Sequence, residues 1–90
     1  MLIALICTDK EGALETRKAN RDAHLAYIKA TGVVSMAGPL LDDAGEMAGS
    51  LVVLDVDDTN AAHEWAAQDP YAQAGLFSDV RIQPWKKVIG

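Results

Sequence analysis

The chain has 90 residues and a mass of 9.6 kDa, and half of its residues are hydrophobic, which allows one compact core and excludes a disordered chain. Lysine and arginine total 8 against 13 aspartates and glutamates, so the net charge is −5. This balance excludes nucleic acid and anionic membrane surfaces as main partners, since both require clustered positive charge. We therefore expect a single domain over residues 1–90.

The first half of the chain predicts a strand, a helix and a second strand. Residues 2–8 form an uninterrupted apolar run, which is typical of a buried strand. Residues 13–31 contain helix formers without proline or glycine, and Gly32 follows at the position where helices end in the left-handed conformation. Residues 33–41 predict the second strand.

The second half of the chain predicts another strand, a shorter helix and a last strand. Residues 50–56 show little alternation and are rich in β-branched side chains, which predicts a third strand. A cluster of N-cap residues then opens a helix that runs through Gln68, and Pro70 ends it because the residue before a proline is pushed out of the helical region. Residues 77–89 predict the fourth strand, with Pro84 indicating a sheet edge or a bulge.

The order β-α-β-β-α-β predicts an α+β fold of the ferredoxin-like type. In this fold an antiparallel four-stranded sheet carries both helices on one face. The strands over residues 2–8 and 50–56 are apolar on both alternations, whereas a sheet with one solvated face alternates apolar and polar residues. We therefore expect a second copy of the sheet to cover the face without helices, giving a homodimer with the form of a dimeric α/β barrel.

Three ionisable residues interrupt the apolar side of the first helix. Arg17, Arg21 and His24 follow one another at i, i+4 and i+7, which places them in one stripe. The other residues away from the charged solvent face are Leu14, Ala19, Ala23, Leu25, Ala26, Tyr27, Ile28 and Ala30. Because buried charge is costly unless it is paired, the stripe predicts a polar cavity or acidic partners, and a histidine there suits proton transfer. The alternative is that the arginines reach solvent and the histidine is a satisfied core residue.

An aspartate continues the inner face of the second helix. Ala62, Trp65, Ala66 and Asp69 share a stripe at i, i+3, i+4 and i+7. An inward Asp69 would orient a histidine or accept a proton. The alternative is turn chemistry, since Asp-Pro-Tyr is a common exit from a helix.

Two pairs containing glycine flank the predicted second hairpin. Gly38-Pro39 predicts a break or bend in the second strand, and Gly49-Ser50 precedes the third. Glycines at these positions indicate either close approach of the backbone to a ligand or a bulge and a turn. Ser50 is a candidate hydrogen-bond partner, but it lacks the Gly-x-Ser-x-Gly context of a nucleophile.

The sequence contains no motif for a metal or a cofactor. It lacks a P-loop, a dinucleotide fingerprint, a His-Glu-x-x-His motif and an EF-hand, and His63 has no partner at metal-binding spacing, so we expect His63 at the surface. The only cysteine, Cys7, lies in an apolar run, so we expect a buried thiol without a disulfide or a zinc site. The apolar start is too short to span a bilayer, and we expect a cytoplasmic protein.

Several short motifs occur together along the chain, and they are Arg21-Asp22-Ala23-His24-Leu25, Ala37-Gly38-Pro39-Leu40, Gly49-Ser50-Leu51, Trp65, Asp69-Pro70-Tyr71, Ala74-Gly75 and Ile82-Gln83-Pro84-Trp85. Their order resembles the YciI-like (YCII-related) family of small dimeric α/β-barrel proteins. The motifs extend over nearly the whole chain. The resemblance is therefore more specific than any single motif.

The resemblance implies a His–Asp pair in a cleft between the sheet and the helices, carried here by His24 and Asp69. Ser50 and Tyr71 would lie near the pair, with Arg21 close by. Lyase-like or other acid–base chemistry on small aromatic or anionic compounds is what the family implies. It says nothing about the substrate of this chain.

Three functions are compatible with these residues. The first is a cofactor-free enzyme in which His24 is the general acid or base and Asp69 orients it. The groups expected to hold the substrate are Arg17, Arg21, Gly38, Pro39, Ser50 and Tyr71. The second is a non-catalytic protein that binds a small molecule in the same cleft. The third is a structural module in which the arginines, His24 and Asp69 form only a buried ion network.

Overall fold

A computed structural model describes residues 1–90 and contains the predicted strands and helices in the predicted order. The elements are β1 (Leu2–Asp9), α1 (Leu14–Thr31), β2 (Val34–Leu41), β3 (Met47–Asp55), α2 (Thr59–Gln68), α3 (Pro70–Gln73) and β4 (Phe77–Trp85). The four strands form one antiparallel sheet in the order β2-β3-β1-β4, with the helices on one face. The predicted α+β, ferredoxin-like fold is confirmed.

The core lies between the central strands and α2. Alternate residues of β1 and β3 face the helices and pack against Ala62 and Trp65, and they are Ile3, Leu5, Cys7, Val52 and Leu54. Burial, with a smaller contribution from the negative charge of Asp69, raises the pKa of the Cys7 thiol to about 12. Cys7 therefore behaves as the small buried hydrophobe that the sequence predicts.

The two long helices are joined by side-chain hydrogen bonds. The hydroxyl of Tyr27 in α1 donates to the backbone carbonyl of Trp65 at 2.8 Å. The indole nitrogen of Trp65 in turn donates to the hydroxyl of Thr31 at 2.9 Å. α1 then ends at Gly32, whose φ of 66° is the left-handed conformation that the sequence predicts. These bonds set the position of α1, and with it the charged stripe, relative to α2.

The alanine side of α1 is exposed, contrary to the helical-wheel interpretation that grouped it with the buried side. A helix on a sheet buries only the stripe that faces the sheet, and in α1 that stripe passes through Arg17 and His24. The alanines on the exposed side are Ala19, Ala23, Ala26 and Ala30. The hydrophobicity of alanine is too small to decide which side a helix buries.

Strand pairing corrects two of the predicted strand boundaries. β4 ends at Trp85 rather than at residue 89, because Trp85 pairs with Leu2 at the start of β1 and later residues have no partner strand. β3 begins at Met47 rather than at residue 50, because Met47 pairs with Leu41 at the end of β2.

The two prolines of the sheet lie in its edge strands. Pro84 lies in β4 and pairs with Ile3 in register, which confirms the predicted edge position. The predicted break at Gly38-Pro39 is wrong, since β2 runs through both residues and its register shifts lie at either side of them. An edge strand tolerates a proline because one side of it needs no backbone donor.

The sheet face without helices carries partly exposed apolar side chains in the single chain, beside the polar Arg81 and Gln83 of β4. Four large side chains on it are each between 37% and 45% exposed, and they are Met36, Leu40, Leu51 and Trp85. No helix of the chain combines the length and the hydrophobicity that crossing a membrane requires.

Candidate active site

Asp69 links the junction of α2 and α3 to α1. Its Oδ1 accepts the backbone N–H of Tyr71 at 3.0 Å, which caps α3, and the same oxygen is 2.7 Å from Nδ1 of His24. Both side chains are buried. The turn and the inward carboxylate, which the sequence leaves as alternatives, are therefore one arrangement.

The hydrogen bonds of Asp69 assign the tautomer of His24. A carboxylate is only an acceptor, so Nδ1 of His24 carries the proton and donates it to Asp69. In the neutral imidazole, Nε2 is then the unprotonated nitrogen. His24 also borders a cavity, which makes Nε2 the nitrogen available to a molecule bound there.

Tyr71 is held by aromatic and cationic neighbours. Its ring stacks on the imidazole of His24 at 4.0 Å between centroids, and the edge of Phe77 meets it at 6.1 Å. The guanidinium carbon of Arg17 lies 4.6 Å from the centre of the same ring. Burial raises the pKa of Tyr71 although the positive charges of Arg17 and Arg21 oppose the shift. The phenol is therefore protonated and able to donate at neutral pH.

Arg17 is fixed in the interior by Asp9 and Ser50. Its Nε and Nη2 donate to the two carboxylate oxygens of Asp9 at 2.7 and 2.8 Å, and Nη2 also donates to Oγ of Ser50 at 2.9 Å. Burial disfavours the charge on Arg17, yet the hydrogen bonds and the negative charge of Asp9 raise its pKa above the ordinary value. Because Oγ of Ser50 accepts from Arg17, the hydroxyl proton of Ser50 is free to donate elsewhere.

Asp9 is the polar residue that sequence reasoning missed. The sequence predicts a polar cavity or acidic partners for the buried stripe, but it does not indicate Asp9 as one of those partners. The one sequence feature that bears on Asp9 as a partner is its position at the end of β1, eight residues before Arg17. The backbone path from β1 into α1, which decides whether the two side chains meet, cannot be read from that spacing.

A cavity of about 170 Å³ lies between α1 and the β2-β3 side of the sheet. Seven of the eight predicted site residues line it, and they are Arg17, Arg21, His24, Gly38, Pro39, Ser50 and Tyr71. The eighth, Asp69, contacts the cavity through His24. Apolar residues that were not predicted complete the lining, namely Leu25, Ile28, Ala37, Met47 and Val52. His63 is exposed elsewhere, as expected.

The two glycines beside the second hairpin have different roles. A Cβ at Gly49 would clash with the backbone carbonyl of Cys7 in the neighbouring strand. Close approach of β1 to β3 therefore accounts for this glycine. A Cβ at Gly38 would meet no atom within 4 Å, and Gly38 lines the cavity. Only Gly38 is compatible with the predicted approach to a ligand.

The fold and the buried pair place the chain among small ferredoxin-like α+β proteins with a polar cavity between sheet and helix. Within that class the chain belongs to the YCII-related domain family, whose model matches residues 1–86. An uncharacterised protein of Haemophilus influenzae is 38% identical, with 98% of this chain and 99% of the relative covered. Protein YciI of Escherichia coli O6:H1 is 36% identical over the same shares.

Solved structures show the same fold. The 5-chloro-2-hydroxyhydroquinone dehydrochlorinase TftG of Burkholderia phenoliruptrix AC1100, in complex with 2,5-dihydroxybenzoquinone, is 30% identical. Its TM-score is 0.86, and the match covers 96% of this chain and 94% of TftG. An antibiotic biosynthesis monooxygenase covers 99% of this chain with a TM-score of 0.61, and at 10% identity it is similar in fold alone.

Proposed function

We propose that this protein is a cofactor-independent enzyme that performs acid–base chemistry of the lyase type on a small aromatic or anionic compound. The observation that carries the proposal is the buried 2.7 Å hydrogen bond between Asp69 and Nδ1 of His24, a residue that borders the cavity. A general base needs an unprotonated nitrogen, and this bond leaves Nε2 of the neutral imidazole without a proton.

His24 would act as the base through Nε2. It takes a proton from an acidic O–H or C–H group of the substrate, and the electron pair left behind forms a new double bond. A leaving group then departs with its bonding electrons, so that the substrate loses one proton and one anion. Asp69 keeps the imidazole in its tautomer and stabilises the positive charge that His24 gains.

The other polar groups of the cavity would hold the substrate oxygens. The hydroxyls of Ser50 and Tyr71 have protons to donate, and the positive charge of Arg21 stabilises an oxygen that becomes negative during the reaction. Gly38 and Pro39 contribute a smooth wall without charge. The arrangement suits a flat molecule with several oxygen acceptors.

The size of the cavity supports a single-ring substrate. A protein cavity of about 150 Å³ holds benzene, so about 170 Å³ is enough for one substituted ring. TftG provides independent support, since its name describes an elimination and its bound molecule has one ring. Elimination from a halogenated hydroxyaromatic compound is accordingly the first reaction to test.

Chloride release from 5-chloro-2-hydroxyhydroquinone tests the proposal. His24→Asn keeps an N–H group that reaches Asp69 but removes the base, and we expect turnover to fall by about 10²-fold or more. His63→Asn is the matched control, because this histidine is exposed and distant from the cavity, and it should leave turnover unchanged. If the compound stabilises the wild-type protein against heat without chloride release, the protein binds it without catalysis, and the proposal of an eliminating enzyme is wrong.

We also propose that the protein is a homodimer in which the open sheet faces of two copies meet. The exposed apolar residues of that face support this arrangement, because a 90-residue chain leaves much of its apolar surface accessible by itself. A cytoplasmic location stays a prediction from the sequence.

A further inference from the structure

The two arginines that border the cavity differ in the number of hydrogen bonds that their side chains make within the protein. Arg17 donates three hydrogen bonds to the side chains of Asp9 and Ser50, so its guanidinium already has partners. Its positive charge is neutralised by a carboxylate that is 5% exposed. Turning Arg17 toward a ligand would leave the carboxylate of Asp9 buried and unpaired, which is strongly unfavourable.

Arg21 has neither an ion pair nor a side-chain hydrogen bond in the chain. It lies one helical turn after Arg17 on α1, is exposed to solvent and borders the same cavity. Its positive charge reaches the interior of the site, because it acts against the burial that raises the pKa of Tyr71. Arg21 is therefore the only cation at the cavity that no carboxylate neutralises.

We propose that Arg21, and not Arg17, is the specificity-determining residue that selects negatively charged ligands. The charged oxygen of the ligand lies at the rim of the cavity against Arg21, and its ring lies deeper, against Ile28 and Val52. The ligand class is a single-ring anion with further oxygen acceptors, such as a hydroxyquinone anion.

The polar groups of the cavity that are still able to form hydrogen bonds are mostly donors, which favours an anion with several acceptor oxygens as the ligand. The hydroxyls of Ser50 and Tyr71 are donors, as is Arg21, whereas Nε2 of His24 is the one acceptor among them. A ligand that satisfies the three donors presents at least three acceptor positions. The proposal concerns the same cavity as the proposed function and rests on it for the choice of ligand, but it describes binding rather than turnover.

Equilibrium binding of two ring compounds tests this role. The probes are 2,5-dihydroxybenzoquinone, whose two acidic hydroxyls are both ionised at neutral pH, and hydroquinone, which is neutral. The variant Arg21→Met removes the charge, and Lys18→Met is the control that removes the same charge from an exposed position on α1 outside the cavity. Titration calorimetry at low ionic strength gives the dissociation constants.

We expect Arg21→Met to weaken binding of the anion by about tenfold, the effect of losing one hydrogen bond to a charged group, and to leave hydroquinone within about twofold. Lys18→Met should change neither. Equal weakening of both probes by Arg21→Met would overturn the proposal. So would an equal loss in Lys18→Met, or wild-type protein that does not prefer the anion.

These outcomes are separate from the failure of the proposed function. If His24→Asn retains full turnover, the assignment of the base is wrong whatever Arg21 does. If the preference for the anion does not depend on Arg21 while His24→Asn abolishes turnover, only the role of Arg21 is wrong.

Discussion

The phenol ring of Tyr71 lies parallel to the imidazole of His24, with 4.0 Å between their centroids and 15° between their planes. The backbone N–H of Tyr71 donates to the Asp69 oxygen that also binds His24. Asp69, Tyr71 and His24 therefore form a closed arrangement in which each residue positions the other two. A three-residue segment after α2 is enough to fix the orientation of a histidine on α1.

Removing the charge of Asp69 tests this arrangement with little change in shape. In Asp69→Asn the amide oxygen can occupy the position of Oδ1, which accepts both hydrogen bonds, so the fold should be retained. Without the carboxylate, the preference of His24 for a proton on Nδ1 should weaken, and turnover should fall by about 10²-fold or more. Nitrogen-15 NMR of the histidine ring reports the tautomer directly. An unchanged ring spectrum would show that the carboxylate does not determine the tautomer.

The ion pair between Arg17 and Asp9 should make a large contribution to stability. Asp9→Asn leaves the buried guanidinium without a counter-charge, and we expect the free energy of unfolding to fall by about 3 kcal/mol. Asp55→Asn is the matched control, since Asp55 pairs with the amino terminus at 3.4 Å in an exposed position and should contribute less than about 1 kcal/mol. Urea unfolding of both variants gives the comparison, and equal losses would contradict the difference in burial.

The two glycines of the second hairpin should respond differently to alanine. Gly49→Ala places a methyl group against the carbonyl of Cys7, so β1 and β3 must move apart, at a cost of about 1–3 kcal/mol in unfolding free energy. Gly38→Ala meets open space on the sheet face that also carries Leu51, and it should not destabilise the fold. Thermal unfolding separates the two effects. A stable Gly49→Ala variant would show that the strands are less closely packed than the structure indicates.

The open sheet face should control association. Leu51→Lys places a charge in the middle of this face, where the leucine is 37% exposed in the single chain. We expect analytical ultracentrifugation to show a dimer for the wild type and a monomer for this variant. Ala23→Lys, on the exposed side of α1, should leave the dimer intact. A wild-type monomer, or a dimer that tolerates Leu51→Lys, would argue against sheet-to-sheet association.

Much of the fold follows from local features of the sequence. Uninterrupted apolar runs and their breakers determine the order of the elements, because strand and helix periods are properties of short segments. Gly32 terminates α1 as predicted, because glycine adopts the left-handed backbone conformation without the steric strain that a side chain would cause. The spacing of Arg17, Arg21 and His24 likewise predicts a stripe of ionisable residues on the inner side of α1, since helical periodicity depends on the chain alone. Arg17 and His24 are buried there as predicted, whereas Arg21 is exposed.

Only the tertiary structure decides which charges meet. Arg17 and Arg21 are one turn apart and are equivalent in the sequence, but Asp9 binds Arg17 and leaves Arg21 unpaired. The pairing of His24 with Asp69 spans 45 residues, and no local pattern specifies such a distance. These contacts depend on how α1 and the end of α2 pack against the sheet. Packing also decides that α1 buries a polar stripe and exposes its alanines, because an ion pair and a hydrogen-bonded histidine satisfy the groups that burial removes from water.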